Sequence, residues 1–466
     1  MRTRQPSSAV RYALLAVATL LALTSAPSAV AQEPDEPLET RIERLEAQVE
    51  ALSEQLAAGA DSAEIENIRK QIDAITRELE AMRLGDDLVA RADTIGFGLG
   101  PAASKVYRGS QGVSIGGYGE FIYTNPSSTR EDGTPSGATS QVDALRGVFY
   151  VGYKFDERFL FNSEVEIEHG STSESGSVSL EFAYLDWRFN GLQGSTGARG
   201  GLVLLPMGFI NELHEPPTYL GVSRPETERR IIPTTWRELG IGMFGTAGDF
   251  DWRAFVVNGL DGSGFDGSGL RGGRQKGSKA LAEDFALSAR VDWNGVPGLL
   301  LGVSGYYGGS GQGVEDPGSP GETIGASTLI VEGHAGYRWR GFDLRGLFAI
   351  STVDDVAALN AANGLTGDAS IGERLTGWYL QAGYDVLRPA RTGVQLLPYL
   401  RYEQIDTQAE VPQGFAADPA NDQSLVTLGA QVLPIPNIAV KLDYTFVSNE
   451  AQTGTDRLSA SLSYMF

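Results

Sequence analysis

The sequence predicts an all-β transmembrane protein: a sixteen-stranded antiparallel outer-membrane β-barrel preceded by a short α-helical coiled coil. Three observations carry this. From Val113 onward, apolar residues recur at every second position with charged residues between them. The connections between these runs alternate short and long. The final run ends on an aromatic residue, Phe466. In a soluble sandwich such alternation turns the apolar face inward. Here the opposite face carries Arg, Asp, Glu and Lys in run after run, which suits lipid outside and water inside.

Taken in chain order, Arg2, Arg4 and Arg11 precede the apolar stretch 12–23 (YALLAVATLLAL), and Ala29-Val30-Ala31 offers small residues for cleavage. Residues 1–31 read as a cleaved signal peptide, and the protein as exported. The alternative, an anchor helix, needs about 20 apolar residues. Residues 36–84 read as a periplasmic coiled coil. Its seam is Leu38, Ile42, Leu45, Val49, Leu52 and Leu56, resuming at Ile65, Ile68, Ile72, Ile75, Leu79 and Met82. The phase does not carry across Gly59-Ala60-Asp61-Ser62, so the helix stutters or breaks at Gly59. Ile at both seam positions favours more than two strands, pointing to a homotrimer. A single amphipathic helix packed on the barrel is the alternative. Residues 85–112, rich in Gly, Ala and Ser, read as a linker.

The barrel spans 113–466. Its strands are expected at 113–123, 141–154, 158–168, 178–189, 196–206, 236–246, 249–258, 282–293, 298–307, 325–339, 341–352, 374–387, 393–405, 424–433, 436–448 and 455–466. In the fourth, the apolar positions Leu180, Phe182 and Tyr184 give way to Leu185, Trp187 and Phe189, a change of phase that a bulge would produce. Short turns are expected at Asp156-Glu157, near Asn190–Ser195, and at Ala247-Gly248, Gly295-Val296-Pro297, Arg340, Pro389–Thr392 and Pro434-Ile435. Longer stretches lie between them, at 124–140, 207–235, 259–281, 308–324, 353–373 and 406–423. Outer-membrane barrels have short periplasmic turns and long external loops. The even strand count returns both ends to the periplasm. In the last strand Leu462, Tyr464 and Phe466 resemble the C-terminal signal read by the outer-membrane assembly machinery.

One loop stands apart. Residues 207–238 contain Pro216, Pro217, Pro225 and Pro233, the apolar Leu220, Ile231 and Ile232, and dense mixed charge. The other loops are Gly-, Ser- and Asn-rich. An apolar and charged loop fits one folded into the lumen, where Glu212, His214, Glu215, Arg224, Glu226, Glu228, Arg229, Arg230, Arg237 and Glu238 would set width and field. A surface loop held by salt bridges is the alternative. Along the strands, Arg146, Arg253, Arg290, Arg338, Arg345, Arg374, Arg401 and Lys441 fall on the inward face as pore wall. Acidic residues alternate with them, as in Asp251/Arg253, Arg290/Asp292 and Asp343/Arg345.

The run Leu205-Pro206-Met207-Gly208-Phe209-Ile210-Asn211-Glu212, then His214-Glu215-Pro216-Pro217, Arg224-Pro225-Glu226 and Ile232-Pro233-Thr234-Thr235-Trp236-Arg237-Glu238, resembles the phosphate-selective porin O and P family. The resemblance covers about 113–466. It implies a sixteen-stranded barrel, usually trimeric, with the loop after the fifth strand folded inward and inward-facing Arg and Lys passing phosphate. The charge balance pulls the other way. The formal charge is −22, and from residue 96 onward acidic residues outnumber basic ones 42 to 27.

These observations exclude several functions. A strongly acidic chain without a basic stripe is repelled by nucleic acid. Zero Cys removes disulfides and thiolate metal sites. His169, His214 and His334 form no metal-binding spacing, and no G-x-S-x-G elbow is expected to exist in support of a serine nucleophile. No enzyme activity, metal or cofactor is expected, and His334 reads as a polar residue of the pore wall. The expected function is passive diffusion of small hydrophilic solutes or inorganic anions through the bacterial outer membrane, surrounded by outer-membrane lipid. The alternative is an envelope tether whose coiled coil binds peptidoglycan or another periplasmic partner.

Overall fold

The computed structural model describes residues 44, 47, 48, 51, 99–108, 111–172, 176–190, 196–390 and 393–466. Of the first compact unit, Met1–Arg83, the described residues are Arg44, Ala47, Gln48 and Ala51, all helical. The expected signal peptide, and the coiled coil apart from those four residues, lie outside the described residues.

The second unit, Leu84–Phe466, is built around a closed barrel. Its strands are β1 (Gly112–Pro126), β2 (Gln141–Lys154), β3 (Phe159–Glu168), β4 (Ser177–Arg188), β5 (Thr196–Leu204), β6 (Arg237–Ala247), β7 (Phe250–Asn258) and β8 (Phe285–Trp293). They continue as β9 (Leu299–Gly308), β10 (Thr328–Trp339), β11 (Phe342–Val353), β12 (Arg374–Tyr384), β13 (Gln395–Glu410), β14 (Asp422–Ile435), β15 (Ile438–Asn449) and β16 (Arg457–Met465). Every strand pairs antiparallel with its chain neighbours, and β1 pairs with β16 to close the wall. Phe466 N and O exchange hydrogen bonds with Gly117 at 2.9 and 3.0 Å, fastening the last residue across that seam. Between the strands and before β1, the described residues of this unit also form short α-helices: α1 (Lys105–Arg108), α2 (Glu226–Arg230) and α3 (Val356–Asn363). No helix among the described residues is long and apolar enough to cross a membrane.

The alternation sorts the two faces in the sense opposite to a soluble protein. On β11, Phe342, Leu344 and Phe348 are exposed, while Asp343 and Arg345 are buried. On β8, Phe285, Leu287 and Val291 point out, and Ser288, Arg290 and Asp292 point in. The outer wall is therefore apolar and the interior polar and charged. Aromatic pairs gather on the outer face near the short turns, as in Phe159–Trp187 and Tyr337–Trp339. Several turns are closed by local bonding. Asp156 Oδ1 accepts from Arg158 N at 2.7 Å and Phe159 N at 2.8 Å.

Two expectations are corrected, and a third is placed. The bulge expected in β4 lies at Glu181, where the register slips between Leu180 and Phe182. It reverses the parity of the strand, so that Leu180 and Leu185 both face out while Phe182 and Tyr184 face in. The last short turn falls at Pro436-Asn437, after a register shift between Val432 and Ile435, not at Pro434-Ile435. The stretch 99–108, expected within a linker, is a turn and helix α1 packed against β1–β3, with Leu99, Ala102, Ala103, Val106 and Tyr107 all buried. The turn residues 191–195 and 391–392 lie outside the described residues.

Candidate functional site

The loop after β5 runs along the inner face of the barrel. Every residue from Leu205 to Val222 is buried. Its apolar side chains hold the two ends of the loop together: Leu205, Ile231, Ile232 and Trp236 are fully buried, and Trp236 packs on Tyr306 of β9. Asn211 bridges those ends, donating to Leu205 O at 2.7 Å and Trp236 O at 2.8 Å and accepting from Trp236 N at 2.6 Å.

From there the loop reaches strands far around the wall. Gly208 N donates to Glu332 of β10 at 3.2 Å, and Arg345 of β11 donates to Thr218 O at 3.0 Å. Glu228 on α2 accepts from Tyr379 of β12 at 2.7 Å and from Ile210 N at 2.7 Å. Thr227 N donates to Glu403 of β13 at 3.1 Å, and Val222 N to Asp443 of β15 at 2.7 Å. Lys441 of β15 donates to the carbonyl oxygens of Pro216, Tyr219 and Gly221 at 2.7, 2.9 and 2.8 Å. A single ammonium thus collects three carbonyls that would otherwise sit buried without donors. Lys441→Met should free the stretch 216–221, and limited proteolysis of folded protein should cut there; resistance equal to wild type would show that the loop is held elsewhere.

The charged residues expected at the constriction divide into two groups. Glu212, His214, Glu215, Glu228, Arg237 and Glu238 are buried and act as fasteners. Glu212 lies 3.3 Å from Arg253 and 3.7 Å from Arg290. His214 Nε2 is 3.1 Å from Glu164 on β3, and burial followed by the charge of Arg224 holds its pKa down to about 4. Arg237 pairs with Glu181 at 2.8 Å. Glu238 accepts from Trp236 Nε1, Asn258 Nδ2 and Gln275 N at 3.2, 2.8 and 2.9 Å. Burial raises the Glu228 carboxyl to about 6, against the pull of its donors.

Arg224, Glu226, Arg229 and Arg230 form the second group, at the loop's less buried tip. Glu226 bonds Arg229 at 2.8 Å and Arg230 at 3.4 Å, with Arg457 of β16 at 3.8 Å. Burial would raise Glu226, but these three cations outweigh it and hold it below the usual range. Two further cations come from the 259–281 loop. Arg274 donates to Thr235 O at 2.5 Å. Burial, then Arg274, Arg224 and Arg229, lowers Arg271 to about 9. Burial, then Arg237, lowers Arg274 to about 10. Both remain cationic at neutral pH. Arg224 Nε and Nη2 and Arg271 Nη1 are buried without hydrogen-bond partners among the described residues. Sequence reasoning missed Arg271, Arg274 and Arg457. The cluster Arg271, Arg274, Lys276, Lys279 in an otherwise Gly- and Ser-rich loop was the available signal.

Of the expected pore-wall residues, Arg146, Arg253, Arg290, Arg338, Arg345, Arg401 and Lys441 face inward. Arg146 pairs with Glu120 at 3.2 Å, Arg338 with Asp343 at 2.7 Å and Arg401 with Glu403 at 2.9 Å. Arg374 does not face inward. It shares the outward parity of Leu380, its side chain is 41% exposed, and it pairs with Glu410. The register shift between Arg374 and Thr376 marks where the pattern becomes irregular. Leu462, Tyr464 and Phe466 are exposed on the outer face. One string, Gly112-Val113-Ser114-Ile115-Gly116, does fit G-x-S-x-G, correcting the expectation that none exists. It lies inside β1, not at the strand-to-helix turn a nucleophile elbow needs. Between the loop and the short turns lies a cavity of about 340 Å³, lined by Pro217, Leu220, Arg338, Asp343, Asp385 and Gln431 among others.

No family model matches the chain. Among solved structures, an anion-selective porin from Comamonas acidovorans aligns at TM-score 0.49 and 12% identity, over 76% of this chain and 99% of that one. Salmonella typhi OmpF aligns at TM-score 0.49 and 13% identity, over 76% and 97%. The outer membrane channel DcaP of Acinetobacter baumannii aligns at TM-score 0.48 and 11% identity, over 76% and 97%. A protein of Aquifex aeolicus (strain VF5), described as an uncharacterized protein, is 38% identical over 380 residues, 79% of this chain and 83% of the relative. At that identity over most of both chains, the chain belongs to the family of the Aquifex aeolicus protein.

Proposed function

We propose that the protein is a bacterial outer-membrane porin through which small hydrophilic solutes or ions diffuse passively past the 207–238 loop. One observation carries the reading: a closed barrel whose outer face is apolar and whose interior is lined with charge. That arrangement is stable with hydrocarbon outside, because every backbone group of a closed barrel finds a partner within the wall. The exposed Val113, Ile115, Leu287, Val303 and Leu380 would cost heavily in water and nothing in lipid. The proposed partners follow: outer-membrane lipid around the wall, the assembly machinery at Leu462, Tyr464 and Phe466, and a homotrimer.

The finer reading is an anion path, with phosphate among the candidate solutes. It is supported by the crowding of Arg229, Arg230 and Arg457 around Glu226, with Arg224, Arg271 and Arg274 close by, and by guanidinium nitrogens of Arg224 and Arg271 that have no hydrogen-bond partner among the described residues. An anion passing that point meets a local concentration of guanidinium charge. The net acidity of the chain argues for a local rather than a global preference.

Purified protein in a planar bilayer should conduct, and its reversal potential in a salt gradient should sit on the anion side. Replacing Arg224, Arg229 and Arg230 together with glutamine should move it toward cations. A folded but silent barrel would end the channel reading. Conductance with an unmoved reversal potential would remove the loop tip from the path.

A further inference from the structure

We infer that residues 99–108 are a withdrawable stopper in the short-turn mouth of the barrel, and that Glu215 is its catch; the inference rests on the channel reading above. The segment is not part of the wall, yet it is buried inside it. Its seat is shaped for it by glycine. A Cβ on Gly152 of β2 would lie 2.6 Å from Val106 Cβ, and one on Gly116 of β1 would lie 2.8 Å from Ala102 O. Gly100 comes equally close to the loop, where a Cβ would meet the Glu215 carboxyl at 2.4 Å. The segment therefore sits between the wall and the inward loop, in contact with both.

Polar tethers also hold it to the wall. Asn162 of β3 donates to Ala103 O at 2.9 Å. Tyr107 OH donates to Asp186 at 2.7 Å and accepts from Arg199 at 2.9 Å. These wall groups also bond one another. Arg199 Nε donates to Asp186 at 2.8 Å, and Asn162 Nδ2 reaches Tyr184 OH at 3.2 Å. Both pairings join wall residues to each other and need no atom of the segment. Glu215 differs. Its Oε1 accepts from Ala102 N at 3.0 Å and from Ala103 N at 2.9 Å, its Oε2 accepts from Ala102 N at 3.2 Å, and among the described residues its side chain has no other hydrogen-bond partner. This link joins the segment to the loop, so it decides whether the stopper and the loop hold together. A buried carboxylate stripped of its donors must be rehydrated or protonated, and withdrawal lets water in to do the first.

The chain has no cysteine, so a reporter pair can be introduced into the full-length protein. Val106→Cys with Gly152→Cys places two sulfurs across the seat. The Cβ separation is about 1 Å short of the roughly 3.8 Å of a disulfide, a shift the four-residue helix can absorb. In a planar bilayer the oxidised pair should lose openings that return on reduction. Independently, Glu215→Ala should raise the time spent open severalfold. Identical conductance and gating in the oxidised and reduced pair, or a Glu215→Ala channel that gates like wild type, would make the segment a fixed part of the wall. Absence of conductance from every folded form would instead remove the channel reading, and the stopper with it.

Discussion

Replacing Asp292 with alanine should destabilise the folded barrel by about 3–5 kcal/mol, the range for removing one partner from a buried ion pair. Asp292 on β8 is 1% exposed. It accepts from Arg290 Nε at 2.7 Å, from Arg253 Nη2 at 2.9 Å, and its Oδ1 lies 3.0 Å from His334 Nε2. His334 in turn bonds Glu332 at 2.9 Å, and Glu332 accepts from Ser304 at 2.5 Å. Without Asp292, two guanidiniums remain in a site closed to water. Glu212, at 3.3 and 3.7 Å, is the carboxylate left within reach of both. Arg290 also fastens Gly208 O, so the damage reaches the start of the inward loop. Asp292→Asn keeps the shape and one acceptor and should cost less. Denaturant unfolding in detergent or lipid measures both. A loss under about 1 kcal/mol for the alanine variant would mean that water enters and screens the network, as it does for surface pairs.

Much of the barrel was legible because its two faces meet opposite solvents, and period two is the only spacing that separates them along a strand. The expected strands overlap the observed ones throughout. Errors fell where the backbone departs from that period. Glu181 and the stretch Val432 to Ile435 sit at register shifts, where one extra residue reverses parity, and Arg374 lies at the end of β12, where the pairing with β13 becomes irregular. Charged residues of the inward loop could be named from sequence, but not their work. Glu228 meets Tyr379 at a separation of 151 residues, and only the closure of the barrel brings them together. The stretch 99–108 reads as linker in the sequence because Gly100, Ala102, Ala103 and Ser104 are small. Small residues are also what allows backbone to press against backbone, so composition alone could not separate a loose segment from a tightly seated one.

Acid should close the channel, and the sign follows from Glu215. With the stopper seated, burial raises this carboxyl from 4.5 to about 7, although Ala103 N, Ala102 N and His214 pull it down. With the stopper withdrawn, water reaches the carboxyl and it returns toward its ordinary value. Between those two values the seated state binds more protons than the open one. Lowering the pH therefore favours seating, and raising it through 7 favours withdrawal. The same sign applies to folding: a raised carboxyl stabilises the fold below its unfolded pKa and loses that contribution as pH rises through 7. A difference of this size can move the open–closed equilibrium on the order of a hundredfold between pH 4.5 and 7. The other titratable groups facing Glu215 are His214 beside it, Glu164 on β3 and Tyr150 on β2. His214, held near 4, stays neutral across the window. Open probability measured from pH 5 to 8 should rise steadily in wild type and be nearly flat in Glu215→Gln. A slope surviving in Glu215→Gln but lost in Glu164→Gln would move the titrating group to the strand, and a flat wild-type profile would disconnect Glu215 from gating altogether.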